Sequence, residues 1–299
     1  LEFNFQNSVP IITGSLAFDD LDLSVLGSTL LSVEEKNKFF DTTIFDRIGL
    51  DVRLSALRAK VDNVELTNLA AAIQLKNGRG VFDLGNANLF GGSIQSNIQM
   101  IPNDKKVRIK GRTSGTSIDT KAVSDALGFF PFVQAKTDFI MTTQMLVGRW
   151  SEILTKMQGQ LTLNMSAGRL IGYDLDNLQK QLLKNDQFLL VNDNGISTAF
   201  DRLDIKAKFA SDAMTMLTLS MYTTNWNLFI QRPTTLSVTK GKQNKQILRA
   251  ELQSNNRSET VCKDIRCLTN SLVWPFTFSL DSTEQALGNF FVKKNIHKN

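Results

Sequence analysis

Cys262 and Cys267, separated by Lys-Asp-Ile-Arg, and the single histidine His297 are the residues of this 299-residue chain with the most distinctive chemistry. A four-residue spacer closes a small hairpin disulfide worth about 2 kcal/mol in the loop-entropy view, and such a bond suits an oxidising compartment. Two unpaired thiols are the other reading of the same pair. A zinc site needs two more ligands, and His297 sits in the tail, so no metal is expected. No Gly-x-Ser-x-Gly elbow is present, no histidine stands ready as a general base, and no carboxylate pair rises above the scattered acids. Glycosidase carboxylates leave no local signature, so local motifs do not bear on that class. Asn77-Gly-Arg-Gly80 reads as a hairpin and Gly91-Gly92 as a turn or bulge rather than a phosphate nest. No Gly-x-x-x-x-Gly-Lys-Ser/Thr loop occurs. The chain therefore reads as non-catalytic and without a cofactor.

The elements that would position any site are strands. From Leu50 to Met100 short alternating segments follow one another with almost no room for a helix. Leu50, Val52 and Leu54 project one way and Asp51 and Arg53 the other; Leu57, Ala59 and Val61 repeat the pattern, as do Ala71, Ile73 and Leu75, each run with one apolar side. Asn77-Gly78 tolerates the positive φ of a type I′ turn. Later strands show the same alternation: Leu161, Leu163 and Met165; Leu203, Ile205 and Phe209; Leu217, Leu219 and Met221. Helices are expected over 119–127, with Ser117 or Asp119 as cap and Gly128 as stop, over 150–157, and over 174–183 behind Asp174 and Asp176. In the first of these, Val123, Ala126 and Leu127 form the apolar stripe. A short helix is also expected from Thr283, with fraying from Lys293 to Asn299.

The fold class is mainly β: a long curved antiparallel sheet, or β-groove built as a meander, with a few short helices. Residues 1–44 read as strands continuing an upstream β-region, 45–280 as the main β-rich domain and 281–299 as a tail. The chain starts at Leu1 and shows no signal peptide, which reads as a fragment or mature segment. No run of 18 apolar residues appears. Net charge is +5, with Lys and Arg mixed among nearly as many acids, and the densest basic cluster is Lys293, Lys294 and Lys298. This reads as a solvated surface, and the absence of a basic stripe interleaved with aromatics argues against nucleic acid.

Several segments in order resemble the C-terminal region of the AsmA family. Asp51-Val-Arg-Leu54 leading to Val64-Glu-Leu-Thr-Asn68 is similar to its opening strand pair. Ile73-Gln-Leu-Lys-Asn-Gly78 followed by Leu89-Phe-Gly-Gly-Ser93 is similar to its strand-turn-strand with a double glycine. Gly168-Arg-Leu-Ile-Gly-Tyr-Asp-Leu175 and Phe200-Asp-Arg-Leu203 fit the blocks that follow. The resemblance spans 45–280; the Cys262–Cys267 segment departs from it. It implies a periplasmic envelope protein attached to the inner membrane through a segment absent from this chain. It also implies assistance to outer-membrane assembly and phospholipid transport through an apolar β-groove. The implied partner is a phospholipid or other acyl-chain lipid, with an envelope protein as a further partner and no nucleic acid. Groove candidates are Leu161, Leu163, Met165, Leu203, Ile205, Phe209, Leu217, Leu219 and Met221. Phe129, Phe130 and Phe132, flanking Pro131, are candidates for an aromatic lip, or a plug for the end of a core. Sheltering a 16-carbon tail from water is worth roughly 12 kcal/mol at about 0.8 kcal/mol per CH₂. A structural or protein-interaction module without lipid transfer is the alternative. The two differ in whether the apolar faces are open or packed.

Overall fold

A computed structural model describes residues 1–5, 9–23, 43–61, 64–76, 78–128, 130–210, 213–230, 233–237, 246–255, 273–280 and 290–294. Cys262, Cys267, Phe129 and the expected helix from Thr283 lie outside the described residues. Among the described residues there are seventeen strands and four short helices. The mainly β class expected from the sequence therefore holds. The chain divides into two units. Unit 1 comprises residues 1–128, 137–161 and 209–212, and unit 2 comprises 129–136, 162–208 and 213–299.

In unit 1, strands β1 (Glu2–Asn4), β2 (Ile11–Asp22), β3 (Gly49–Val61), β4 (Val64–Lys76), β5 (Arg79–Leu89), β6 (Gly92–Asn103) and β7 (Lys106–Asp119) pair in chain order. Every pair is antiparallel except β2–β3, which runs parallel. Helix α1 (Ile44–Arg47) lies in the connection between them. An exposed ion pair spans this parallel register. Arg58 donates from Nε and Nη2 to the two carboxylate oxygens of Asp20 at 2.6 and 2.8 Å, and the two residues are register partners. The expected β4–β5 hairpin is present, with Gly78 at φ 68° and Lys76 opposite Arg79; Asn77 lies outside the described residues.

The alternation does not run unbroken along β3. Ala56 and Ala59 are buried, whereas Leu57, expected on the apolar side with Ala59, is 60% exposed. The neighbouring strands change phase at the same level. Asn68 of β4 takes φ 53°. In β5 a register shift places Gly85 and Asn86 between the buried Leu84 and Ala87. A left-handed Asn and a bulge thus carry the apolar side across a one-residue slip.

Helix α2 (Thr120–Leu127) starts at Asp119, whose carboxylate accepts from the Lys121 and Ala122 amides at 2.9 and 3.2 Å, and stops at Gly128 with φ 71°. Its buried residue is Ser124, whose hydroxyl donates to the Thr120 carbonyl at 2.9 Å, while Leu127 is 64% exposed. Of the expected apolar stripe, Val123 and Ala126 are half-buried and Leu127 is exposed. Unit 1 also holds most of β8 (Val133–Val147), helix α3 (Glu152–Lys156) and the start of β9 (Gln158–Ile171).

Unit 2 is organised around helix α4 (Leu175–Lys184). Asp174 caps it, accepting from the Asp176 and Asn177 amides at 2.8 and 3.1 Å. Leu175, Leu178 and Leu182 recur on one side of the helix and are buried. Around it run β10 (Gln187–Leu190), β11 (Ser197–Ala210), β12 (Ala213–Tyr222), β13 (Trp226–Ile230), β14 (Thr234–Ser237), β15 (Gln246–Ser254), β16 (Val273–Leu280) and β17 (Phe290–Lys294). β17 pairs with both β16 and β10, with Gln187 opposite Lys293. Lys293 and Lys294, expected to fray, are thus part of a paired strand, because the alternation around Val292 buries that side chain completely.

Candidate functional site

The side chains that stand out are apolar ones, and the two units treat theirs differently. In unit 2 the interior is filled. Leu175, Leu178 and Leu182 of α4 pack with Phe200, Leu203, Met221, Leu248, Leu252, Phe276 and Val292 in one cluster. Trp226 and Trp274 meet edge to face at 5.7 Å, and the Trp226 indole N–H donates to Asp176 at the start of α4. Of the nine groove candidates, Met165, Leu203 and Met221 are buried members of this cluster, and Leu163, Ile205 and Leu219 pack against it. Leu217 is half-buried on β12. Phe130 and Phe132 form an edge-to-face pair at 4.9 Å and are half-buried.

In unit 1 the apolar face of the sheet carries two separate clusters. One joins Ala56, Ala59, Leu69, Ala71, Leu84 and Ala87. The other joins Phe45 of α1 with Leu75, Val107, Ile109 and Val147, and Ile153 of α3 packs against it. Between the two runs a row of register partners: Val52 opposite Ile73, Ile73 opposite Phe82, Phe82 opposite Ile98, and Ile98 opposite Gly111. Ile73, on the second of these strands, is 39% exposed; Val52, Phe82 and Ile98 are half-buried, Phe82 packing against the first cluster and Ile98 against the second. The row crosses five strands, about 19 Å at the usual strand spacing of about 4.8 Å. Leu161 and Phe209 also belong to this unit. The Phe209 ring lies where a side chain at Gly159 would point, 2.7 Å from the Cβ position, and Phe139 fills the equivalent space over Gly115 at 2.3 Å.

The opposite, polar face of unit 1 shows a feature that composition hides. Lys106, Arg108, Lys110 and Arg112 alternate along β7 with the buried Val107 and Ile109 and the half-buried Gly111, so all four cations are exposed on one side. A groove of about 420 Å³ beside them is lined by Arg108, Lys110, Gln144, Leu146, Lys156 and Gln158. The period-2 spacing was the available signal, but the mixed charge of the whole chain masks it. At the rim, Glu152 accepts from Lys156 Nζ at 2.8 Å and from the Gly148 and Arg149 amides at 2.7 and 3.3 Å. The Lys156 ammonium first, and then these amides, hold its carboxyl down from 4.5 to about 2. Because the folded value is depressed, the stability it contributes is complete above pH 4.5 and is lost as pH falls toward 2. A carboxyl NMR titration should place Glu152 near 2, and Lys156→Met should move its midpoint up toward the ordinary value.

These features define a β-sheet scaffold protein that presents an oily face. No group of His, Cys, Asp and Glu able to hold a metal ion occurs among the described residues. No described helix is long and apolar enough to cross a membrane. The sequence profile of the AsmA family matches residues 29–218, more than half of the chain, and the chain belongs to that family. No curated protein and no solved structure matches it. Proteins of the family are envelope-associated and generally not catalytic, so membership points to an envelope or lipid-transport-related role.

Proposed function

We propose that this protein is a non-catalytic periplasmic component at the inner membrane that shelters acyl chains on the apolar face of unit 1. It would thereby assist phospholipid transport between membranes and outer-membrane assembly. The observation that carries this reading is Ile73: a large aliphatic side chain on the apolar face of unit 1, within a row of register partners across five strands, that is 39% exposed. Leaving such a side chain in water forfeits part of the roughly 1.5–3 kcal/mol that full burial gives, and a lipid tail laid along the row recovers it. Leu161 and Phe209 extend the proposed lining within the same unit. The filled interior of unit 2 favours the alternative role there, as a structural or partner-binding module in which Phe130 and Phe132 form the lip.

Organic extraction and native mass spectrometry of the purified protein should recover phospholipid, and a labelled phospholipid should be taken up. Ile73→Arg should reduce uptake at least about fivefold, since a charge in an apolar contact is costly. It should leave the melting temperature within a few degrees, because the position is already partly solvated. Protein free of lipid and inert to the label, with pull-downs recovering only protein partners, would leave the interaction-module reading in its place.

A further inference from the structure

We propose that the polar face of β7 is a docking surface for an anionic phospholipid bilayer, with Lys106, Arg108, Lys110 and Arg112 meeting the lipid phosphates. The inference concerns the side of the sheet opposite the proposed acyl-chain row and does not depend on that row. The four cations sit two residues apart on one strand, so they form a row about 20 Å long with charges about 7 Å apart. None of the four makes an ion pair or a side-chain hydrogen bond among the described residues. Their cross-strand partners on β6 are uncharged: Asn103 faces Lys106, Ile101 faces Arg108, Gln99 faces Lys110 and Asn97 faces Arg112. On the other side, Gly111 lies against Thr143, and Gln144 and Leu146 of β8 line the groove with Arg108 and Lys110. Of the nearby carboxylates, Glu152 is held by Lys156 and two backbone amides and Asp138 by the Ser117 amide at 2.8 Å, while Asp104 stands in the β6–β7 turn, two residues before Lys106 at one end of the row. Four like charges held in a row without ion-pair partners repel one another, and a sheet of phosphates relieves that repulsion.

A lipid surface fits better than a purely ionic polymer because apolar side chains share the face. Leu146 is 37% exposed inside the basic groove, and Ile140, further along β8, is 42% exposed. Cations with interspersed aliphatic groups match the boundary between headgroups and acyl chains.

The test is sedimentation of the protein with phosphatidylcholine vesicles containing about one third phosphatidylglycerol, against vesicles of phosphatidylcholine alone. Wild-type protein should bind the anionic vesicles selectively and release them on raising salt from about 0.15 M to about 1 M. Arg108→Gln/Lys110→Gln should weaken this binding about thirtyfold, taking the usual contribution of a cation near an anionic surface. Lys106→Gln/Arg112→Gln, at the two ends of the row, should weaken it similarly and gives a second reading if the first pair misfolds. Arg53→Gln/Lys60→Gln on β3 should change it little. Ile73→Arg should leave the phosphatidylglycerol dependence intact, which separates this surface from the acyl-chain row. No preference for phosphatidylglycerol would overturn the proposal. So would equal loss in the β3 control, or row-dependent retention on heparin without vesicle binding.

Discussion

Leu182→Ala should destabilise unit 2 toward the upper part of the about 2–5 kcal/mol range measured for buried Leu→Ala changes. Leu182 is fully buried in the last turn of α4, in a cluster whose other members come mostly from several strands. A cavity enclosed by paired strands cannot collapse easily, which is the condition for the larger values. Trp226 and Trp274 both lie in this unit, so their fluorescence during urea unfolding reports the change directly. Leu183→Ala, at a neighbouring position that is 56% exposed, should shift the midpoint little. Equal effects at the two positions would show that α4 does not fill the unit as described.

Gly92→Ala should be the second severe change, about 3 kcal/mol, as expected for overpacking against atoms that cannot move aside. The added methyl would stand 2.2 Å from the Thr116 carbonyl oxygen and 2.6 Å from the Ser117 carbonyl carbon, both backbone atoms of β7. Relief requires separating β6 from β7. Amide exchange in these two strands should therefore accelerate, and the thermal transition should fall. Gly128→Ala provides the contrast. Gly128 has φ 71° and nothing within 4 Å of the added carbon, so only the left-handed backbone penalty of about 1–2 kcal/mol applies. If the two variants melt together, the close approach at Gly92 is not real.

Much of this architecture was legible from local pattern. The strand alternation, the turn at Gly78, and the caps at Asp119 and Asp174 are set by neighbours within a few residues, and they stand where expected. What sequence reading missed depends on register between distant segments. Leu57 was assigned to the wrong side because the slip is shared with Asn68 and Gly85–Asn86 on neighbouring strands. β2 joined β3 in parallel, which no local alternation encodes. The row Val52, Ile73, Phe82 and Ile98 was visible only as single residues of separate strands until pairing aligned them. The cations of β7 were diluted by the valine, isoleucine and glycine between them, although that spacing is what gathers them on one side.

The position of β17 has a consequence for how the chain is made. β10 ends at Leu190, and its partner starts at Phe290, so a growing polypeptide on the ribosome carries β10 for about a hundred residues before the matching strand emerges. During that interval β10, joined near its end by β16, offers unsatisfied backbone groups that another nascent chain can capture. Chains released before Phe290 should therefore clump, and a chaperone that occupies those edges would guard the molecule until synthesis delivers the closing piece.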